Sequence, residues 1–86
     1  MKVEYDLKKS NINKVKHGID FKRAQKLWDG KVVELQAKNK NEKRLLVIGK
    51  IKKTYWSAII TKRTDNIRII SVRRARDEEK KLYDES

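Results

Sequence analysis

The chain contains no cysteine and no proline among its 86 residues. The lack of cysteine excludes disulfides, thiolate catalysis and cysteine–zinc sites, and it suits a reducing compartment. No apolar run approaches the roughly 20 residues that a membrane-spanning helix requires, so we expect no membrane partner. The first residues form no apolar signal core, and we therefore expect a cytoplasmic protein.

Positive charge is present in large excess. Lysine and arginine together number 24 against 12 acidic residues, which gives a net charge of +12, while hydrophobic residues make up only 37% of the chain. The core is therefore thin, and a bound partner would add to stability. A field of this sign attracts polyanions, of which nucleic acid is the commonest. An acidic protein or an anionic membrane surface would satisfy the same field.

The first third of the chain reads as helical. Asp6 is a suitable N-cap for a helix that ends at His17, and Gly18 is a suitable left-handed C-cap. Asp20 then caps a second helix over residues 21–28, whose apolar residues recur at helical spacing. The narrow apolar stripe of the first helix consists of Leu7, Ile12 and Val15.

The remainder is dominated by β-forming residues. Strands are predicted over residues 31–36, 44–51, 54–61 and 67–73, with a bulge at Gly49, and residues 2–5 form a possible edge strand. Residues 76–85 form a charged helix whose apolar contacts are Leu82 and Tyr83. We therefore predict one α+β domain over residues 1–86, with two N-terminal helices packed on a four-stranded antiparallel sheet and a C-terminal helix.

Arginine is concentrated late in the chain. Five of the seven arginines fall within one short stretch: Arg63, Arg68, Arg73, Arg74 and Arg76. A guanidinium group is a rigid planar fork that binds phosphate through two parallel hydrogen bonds, so arginines fixed on a strand indicate an anion site. Alternation places Arg68 and Arg73 on opposite faces, although a bulge would bring them towards one ligand.

Cleavage of a phosphodiester by its own 2′-hydroxyl needs cations on the phosphate oxygens, a base and an acid. Arginines suit the first role, and Arg44 joins the cluster from an earlier strand. Candidates for the base and the acid are His17, Glu42, Glu79, Tyr83 and several lysines.

Each of these residues also has a structural interpretation. Some of the arginines are expected to pair with the acidic tail, His17 suits a helix end, and Tyr83 suits a docking contact. Of Tyr55 and Trp56, which face opposite ways, one is expected in the core and the other is available for base stacking. One histidine and no cysteine leave no ligand set typical of a metal site, and we expect no cofactor.

Several segments match a known family in order along the whole chain. They are Tyr5, Asp6 and Asn11; Lys16, His17, Gly18, Ile19, Asp20, Phe21 and Ala24; Glu42, Lys43, Arg44, Ile48 and Gly49; Arg63; Arg68, Ile69, Ile70, Ser71, Val72, Arg73, Arg74 and Ala75; and Glu79 and Tyr83. In these segments the chain resembles the BrnT toxins of bacterial type II toxin–antitoxin systems. The family usually has tryptophan where Tyr5 stands and alanine where Val72 stands.

The resemblance implies a RelE-like fold and a metal-independent ribonuclease that arrests growth by cutting RNA. It also implies a BrnA-like antitoxin that blocks the toxin and supplies the DNA contacts for repression of the operon. The residues expected to be catalytic are Arg44, Arg63, Arg68, Arg73, Glu79 and Tyr83, and those expected to bind RNA are Arg74, Trp56 and Lys62.

Two other functions fit the same residues. A non-catalytic RNA- or DNA-binding module would show steep salt dependence and no cleavage product. A protein-interaction domain would use its basic face to dock an acidic antitoxin helix.

Overall fold

A computed structural model of the protein describes residues 2–37 and 43–86. In chain order its elements are β1 (Lys2–Glu4), α1 (Leu7–His17), α2 (Phe21–Ala24), a 3₁₀ helix (Gln25–Asp29), β2 (Val32–Gln36), β3 (Arg44–Ile51), β4 (Thr54–Arg63), β5 (Asn66–Arg74) and α3 (Asp77–Glu85). Glu42, one of the candidate bases, lies outside the described residues. The α+β class is confirmed.

The strands form one mixed sheet in the order β1-β5-β4-β3-β2. Strands β2 to β5 form the predicted antiparallel succession. The edge strand predicted over residues 2–5 is confirmed as β1. The prediction of a four-stranded, all-antiparallel sheet is wrong, because β1 adds a fifth strand parallel to β5, with Val3 paired to Ile67. A parallel neighbour needs a long crossover, and the helices with the intervening strands supply it. Val3 packs against the core, which gives this short strand a reason to join the sheet.

The hydrophobic core lies between one face of the sheet and the N-terminal helices. Its fully buried side chains include Ile19, Phe21, Leu27, Val47, Ile60, Ile69 and Val72. The helix α3 lies on the other face, because Glu79 of α3 contacts Ser57, whose neighbours Trp56 and Ala58 point into the core. Leu46 and Ile59 pair on this second face and are only half-buried, so α3 covers one end of the face and leaves the other accessible.

The predicted helix caps are confirmed. The Oδ1 atom of Asp6 accepts a hydrogen bond from the backbone N–H of Lys9 at 3.0 Å, and that bond is the largest cause of a lowered pKa of Asp6. Asp20 accepts from the backbone N–H of Arg23 at 2.8 Å. Gly18 ends α1 with a φ of 79°, a conformation that glycine adopts without steric cost. Asp6 and Asp20 thus fix where α1 and α2 begin, and Gly18 fixes where α1 ends.

The second helix is shorter than predicted. Residues 21–28 were expected to form one helix, but the α-helix ends at Ala24 and continues as the 3₁₀ helix. The tighter 3₁₀ geometry is common at the end of an α-helix. It lets Leu27 pack directly over Gly49, where a Cβ atom would stand 3.0 Å from the Leu27 Cδ2 atom. The predicted bulge at Gly49 is therefore wrong: the register of β3 is continuous there, and the missing side chain makes room for Leu27.

Helix α1 packs on the rest of the protein through polar side chains. The residues of its narrow apolar stripe are exposed, with Leu7 at 69%, Ile12 at 53% and Val15 at 88%. The buried residues of α1 are instead Ser10 and Asn13. Ser10 Oγ accepts from the backbone N–H of Phe21 at 2.8 Å, and the Asn13 amide bonds both backbone groups of Val72, so polar contacts orient this helix.

A bulge does occur, in β5. Ile59 pairs with Ser71 while the next residue, Ile60, pairs with Ile69, which leaves Ile70 as an extra residue. An extra residue reverses the alternation of side chains beyond it.

As a result Arg68, Ser71 and Arg73 pair with Thr61, Ile59 and Ser57, alternate residues of β4 that share one face. The simple alternation that separated Arg68 from Arg73 is corrected by this bulge.

Candidate nucleic-acid interface

A recess of about 380 Å³, here called the basic hollow, lies at the accessible end of the second sheet face. It is lined by Lys9, Lys43, Arg44, Thr61, Lys62, Arg63, Arg68 and Ile70. Six of these eight described residues are lysine or arginine, and none of the eight is acidic. Four of the predicted site residues, Arg44, Lys62, Arg63 and Arg68, therefore lie together.

The register of the sheet explains how two of the arginines come to the same place. Arg44 of β3 pairs with Thr61 of β4, and Thr61 pairs with Arg68 of β5. Residues paired in this way share a face, and two strand spacings separate the outer Cα atoms by roughly 10 Å. Arg44 and Arg68 thus flank Thr61 on the same face of the sheet, an arrangement that suits a phosphate bound by both arginines.

Arg68 forms one long ion pair, with Glu4. Its Nη1 atom lies 4.0 Å from Oε2 of Glu4, and both side chains are about one-third exposed, at 33% and 34%. The other oxygen of Glu4 accepts from Asn66 Nδ2 at 2.9 Å, so this carboxylate is shared. A contact of that length leaves the remaining N–H donors of the guanidinium available to a ligand. Glu4 positions Arg68 without neutralising its hydrogen-bonding capacity.

Four more cations of the basic hollow, Lys62, Arg63, Lys9 and Lys43, are loosely held. Lys62 pairs with Glu34 at 2.9 Å, but its side chain is 57% exposed, and such surface pairs contribute about 0–1 kcal/mol. Arg63 forms no ion pair with any residue in the ranges 2–37 and 43–86. Lys9 and Lys43 are exposed at the rim of the hollow. At these four side chains a ligand phosphate would therefore displace little existing structure.

Arg73 and Glu79 form a separate cluster under α3. Glu79 is 6% exposed, and its carboxylate takes two hydrogen bonds from Arg73, at 2.8 and 2.9 Å. It also accepts from the Ser57 hydroxyl at 2.9 Å and from the backbone N–H of Arg76 at 2.8 Å. These bonds, led by those of Arg73, lower the pKa of Glu79 from 4.5 to about 2, and the pKa of Arg73 is raised in return. An ionised and saturated carboxylate favours a structural role over the predicted acid–base one.

Tyr83 also lies outside the basic hollow. Its hydroxyl donates to the backbone carbonyl of Lys31 at 3.2 Å, and its ring meets that of Tyr55 edge-on at 5.7 Å. Tyr55 in turn donates to Asp84 at 2.7 Å, which raises the pKa of Tyr55. These contacts join α3 to the sheet, as expected of a docking residue.

Trp56 and Arg74 lie on the core side of the sheet. Trp56 is only 7% exposed and belongs to the core, so the structure favours packing over the predicted base stacking. The exposed Arg74 places its guanidinium carbon 5.6 Å from the centre of the Trp56 ring. That contact is typical of a cation–π pair at the edge of a core. Tyr55, the other candidate for stacking, is half-buried, and its hydroxyl donates to Asp84 of α3.

Four residues of the hollow were not predicted as site residues: Lys9, Lys43, Thr61 and Ile70. Lys43 stands next to Arg44 and Thr61 next to Lys62, and that proximity was the available signal for both. Lys9 reaches the site from α1 and Ile70 from the bulge in β5, and only the tertiary arrangement brings them there. The single histidine, His17, lies outside the basic hollow.

Within the described part of the chain, no three side chains of histidine, aspartate or glutamate are grouped as metal ligands. Among the same residues, no helix has the length and apolar character needed to cross a membrane.

The fold and the hollow define a small, basic α+β protein whose accessible sheet face suits phosphate groups. The chain belongs to the BrnT family, because residues 5–79 match the family described as the ribonuclease toxin, BrnT, of type II toxin–antitoxin system. The resemblance inferred from the sequence is thus confirmed. A search of curated proteins found no match to the chain. A toxin of this type implies an antitoxin partner, and the match includes every residue that lines the basic hollow.

Proposed function

We propose that the protein is a toxin that cuts RNA internally and thereby arrests growth, with the scissile phosphate held in the basic hollow. The observation that carries this proposal is the row of Arg44, Thr61 and Arg68 across three adjacent strands. This row is a candidate phosphate site for the ribonuclease activity that the family description names. The surrounding lysines and Arg63 add positive potential at the same point.

The proposed roles follow from the chemistry of the hollow. Arg44 and Arg68 contact the phosphate oxygens and stabilise the charge that develops as the 2′-hydroxyl attacks. Arg63 and Lys62 line the same recess and guide the neighbouring phosphates. Because these cations can supply the electrostatic role, we propose that cleavage needs no metal ion, and activity in excess EDTA tests this point.

The remaining predicted site residues take different proposed roles. Arg73 shares the sheet face of Arg68, but its pair with Glu79 supports a role in holding α3 beside the site. Tyr83 supports the same docking. Exposed Arg74 remains a proposed RNA contact outside the hollow. The RelE-like fold type, the BrnA-like identity of the antitoxin and joint repression of the operon are parts of the proposal that the resemblance suggests.

The first test is induced expression followed by primer extension on cellular RNA. We expect growth arrest and new RNA ends with the native chain. With purified protein, Arg68→Ala should lower the cleavage rate about a hundredfold, as the loss of one oxyanion donor typically does. Arg23→Ala removes the same charge from α2, outside the basic hollow, and serves as the matched control. Equal rates for the two variants would remove Arg68 from the site.

A non-catalytic RNA-binding module is the second candidate. The observation that favours it is that no carboxylate and no imidazole is among the described residues that line the basic hollow. Proton transfer at this site would therefore fall to lysine side chains or to groups outside the lining. Salt-dependent binding of RNA without any new RNA ends would establish this second function and reject the first.

A further inference from the structure

A second hollow, of about 190 Å³, lies between α1 and β5 beside the basic hollow. The side chains that matter here are Lys9, Ile12, Lys16, His17, Ile70 and Ser71. Lys9 and Ile70 line both hollows, so the two recesses are neighbours along one path. We call the second recess the α1–β5 seam.

The seam differs in chemistry from the basic hollow. It combines the apolar side chains of Ile12 and Ile70 with the lysine cation of Lys16, the imidazole of His17 and the hydroxyl of Ser71. Ile12 is 53% exposed, although it is a large apolar side chain. Phosphate alone would not need apolar contacts, whereas a nucleoside needs both apolar surface and hydrogen-bonding groups.

The walls of the seam are held in place. Asn13 at its base donates from Nδ2 to the backbone oxygens of Ile19 and Val72 and accepts from the Val72 N–H, at distances of 2.8 to 3.1 Å. These bonds tie α1 to the outer edge of β5. The bulge at Ile70 lies between Arg68, which lines one recess, and Ser71, which lines the other. The spacing between the two recesses is therefore set by the sheet.

We propose that the α1–β5 seam is a nucleotide subsite, which holds the base and ribose next to the phosphate bound in the basic hollow. This inference rests on the proposed function, because it assigns a substrate feature to the same site. The substrate is then single-stranded RNA of at least two nucleotides. A recess between a helix and a strand accepts a base that has left its stack, whereas a paired base stays inside the double helix.

The test compares two probes that cannot be cleaved: uridine 3′-monophosphate and a longer 2′-O-methyl oligouridylate labelled with fluorescein. Binding to the 86-residue protein is followed by anisotropy for the labelled oligonucleotide and by calorimetry for the mononucleotide. Ile12→Ser should weaken oligonucleotide binding at least about fivefold, the lower end for loss of one base contact. Lys16→Ala should reduce the slope of log affinity against log salt by about 0.7 for the oligonucleotide, because Lys16 would contact the phosphate on the other side of the bound nucleoside. Ile12→Ser should also weaken binding of the mononucleotide, which carries a base and ribose beside its single phosphate, whereas Lys16→Ala should bind the mononucleotide as the native protein does.

Lys14→Ala is the matched control, because Lys14 is exposed on the same helix and lines neither recess. The inference is overturned if the salt slope of Lys16→Ala equals or exceeds that of Lys14→Ala and Ile12→Ser binds the oligonucleotide as tightly as the native protein does. In that outcome, loss of binding of both probes by Arg68→Ala still supports the basic hollow, so the two failures are distinguishable. Reduced binding of the antitoxin, with RNA binding intact in the seam variants, would instead make the seam a protein interface.

Discussion

The guanidinium of Arg73 meets the carboxylate of Glu79 at two points, with Nη1 2.8 Å from Oε1 and Nη2 2.9 Å from Oε2. The same carboxylate accepts from Ser57 of β4 and from the backbone N–H of Arg76 at the start of α3. One buried side chain thus joins two strands to the C-terminal helix. Its measurable effect is expected first on stability.

Replacement of Glu79 by alanine should lower the free energy of unfolding by about 3 kcal/mol, because Arg73 and Ser57 lose their buried partner. Glu78→Ala, at an exposed position of the same helical turn, should cost less than about 1 kcal/mol, the usual contribution of a charge near a helix N-terminus. Urea denaturation of both variants measures the difference. Similar losses would show that the pair contributes nothing specific.

Stability should also depend on acid pH through Glu79. Its pKa is lowered from 4.5 to about 2 in the folded protein, so the unfolded chain binds more protons between these values. The contribution of Glu79 is therefore complete above about pH 4.5 and is lost as the pH falls towards 2. We expect the difference in Tm between the native protein and Glu79→Gln to shrink over this window. A difference that stays constant down to pH 2 would contradict the assignment.

Because α1 buries Asn13 and exposes Val15, replacing Asn13 should lower the free energy of unfolding more than replacing Val15. Asn13→Ala removes hydrogen bonds to Ile19 and Val72 in a buried setting and should cost about 2–3 kcal/mol. Val15→Ser, at a side chain 88% exposed, should change stability by no more than about 0.5 kcal/mol. Thermal denaturation of the two single variants decides the matter. The reverse order would mean that α1 packs through its apolar side chains.

Gly49 and Gly30 form a matched pair for the close contact of β3 with the 3₁₀ helix. A Cβ atom at Gly49 would stand 3.0 Å from Leu27 and 3.3 Å from Val32, whereas one at Gly30 meets nothing within 4 Å. Gly49→Ala should therefore cost about 1–3 kcal/mol through overpacking. Gly30→Ala should leave the free energy of unfolding nearly unchanged or raise it slightly. A harmless Gly49→Ala would show that Leu27 moves freely aside.

Local signals in the sequence predicted the parts of the fold that depend on near neighbours. Asp6, Gly18 and Asp20 cap helices as expected, because a cap bonds backbone groups within a few residues of itself. The strands over residues 44–51 and 54–61 follow from their β-branched content in the same way. The parallel addition of β1 was not predictable locally, since its partner β5 lies far along the chain.

The candidate site shows the same division. Arg63, Arg68 and Lys62 were selected from residue type and proximity in sequence and Arg44 from residue type alone, and the structure brings all four around one recess. Arg73 has the same residue type, yet it is paired with Glu79 and does not line this recess. Residue type therefore identified the cations, but it did not show which of them form ion pairs within the protein.

The amino-acid sequence by itself determined the positive charge, the helix caps, the strand-forming segments and the membership of the BrnT family. Only the tertiary structure decided that Arg44 and Arg68 flank Thr61, that the extra residue Ile70 turns Ser71 to their face, and that α1 buries Asn13. The physical reason is range. Caps and propensities act over one helical turn, whereas register and bulges are set by pairing and packing between segments distant in the chain.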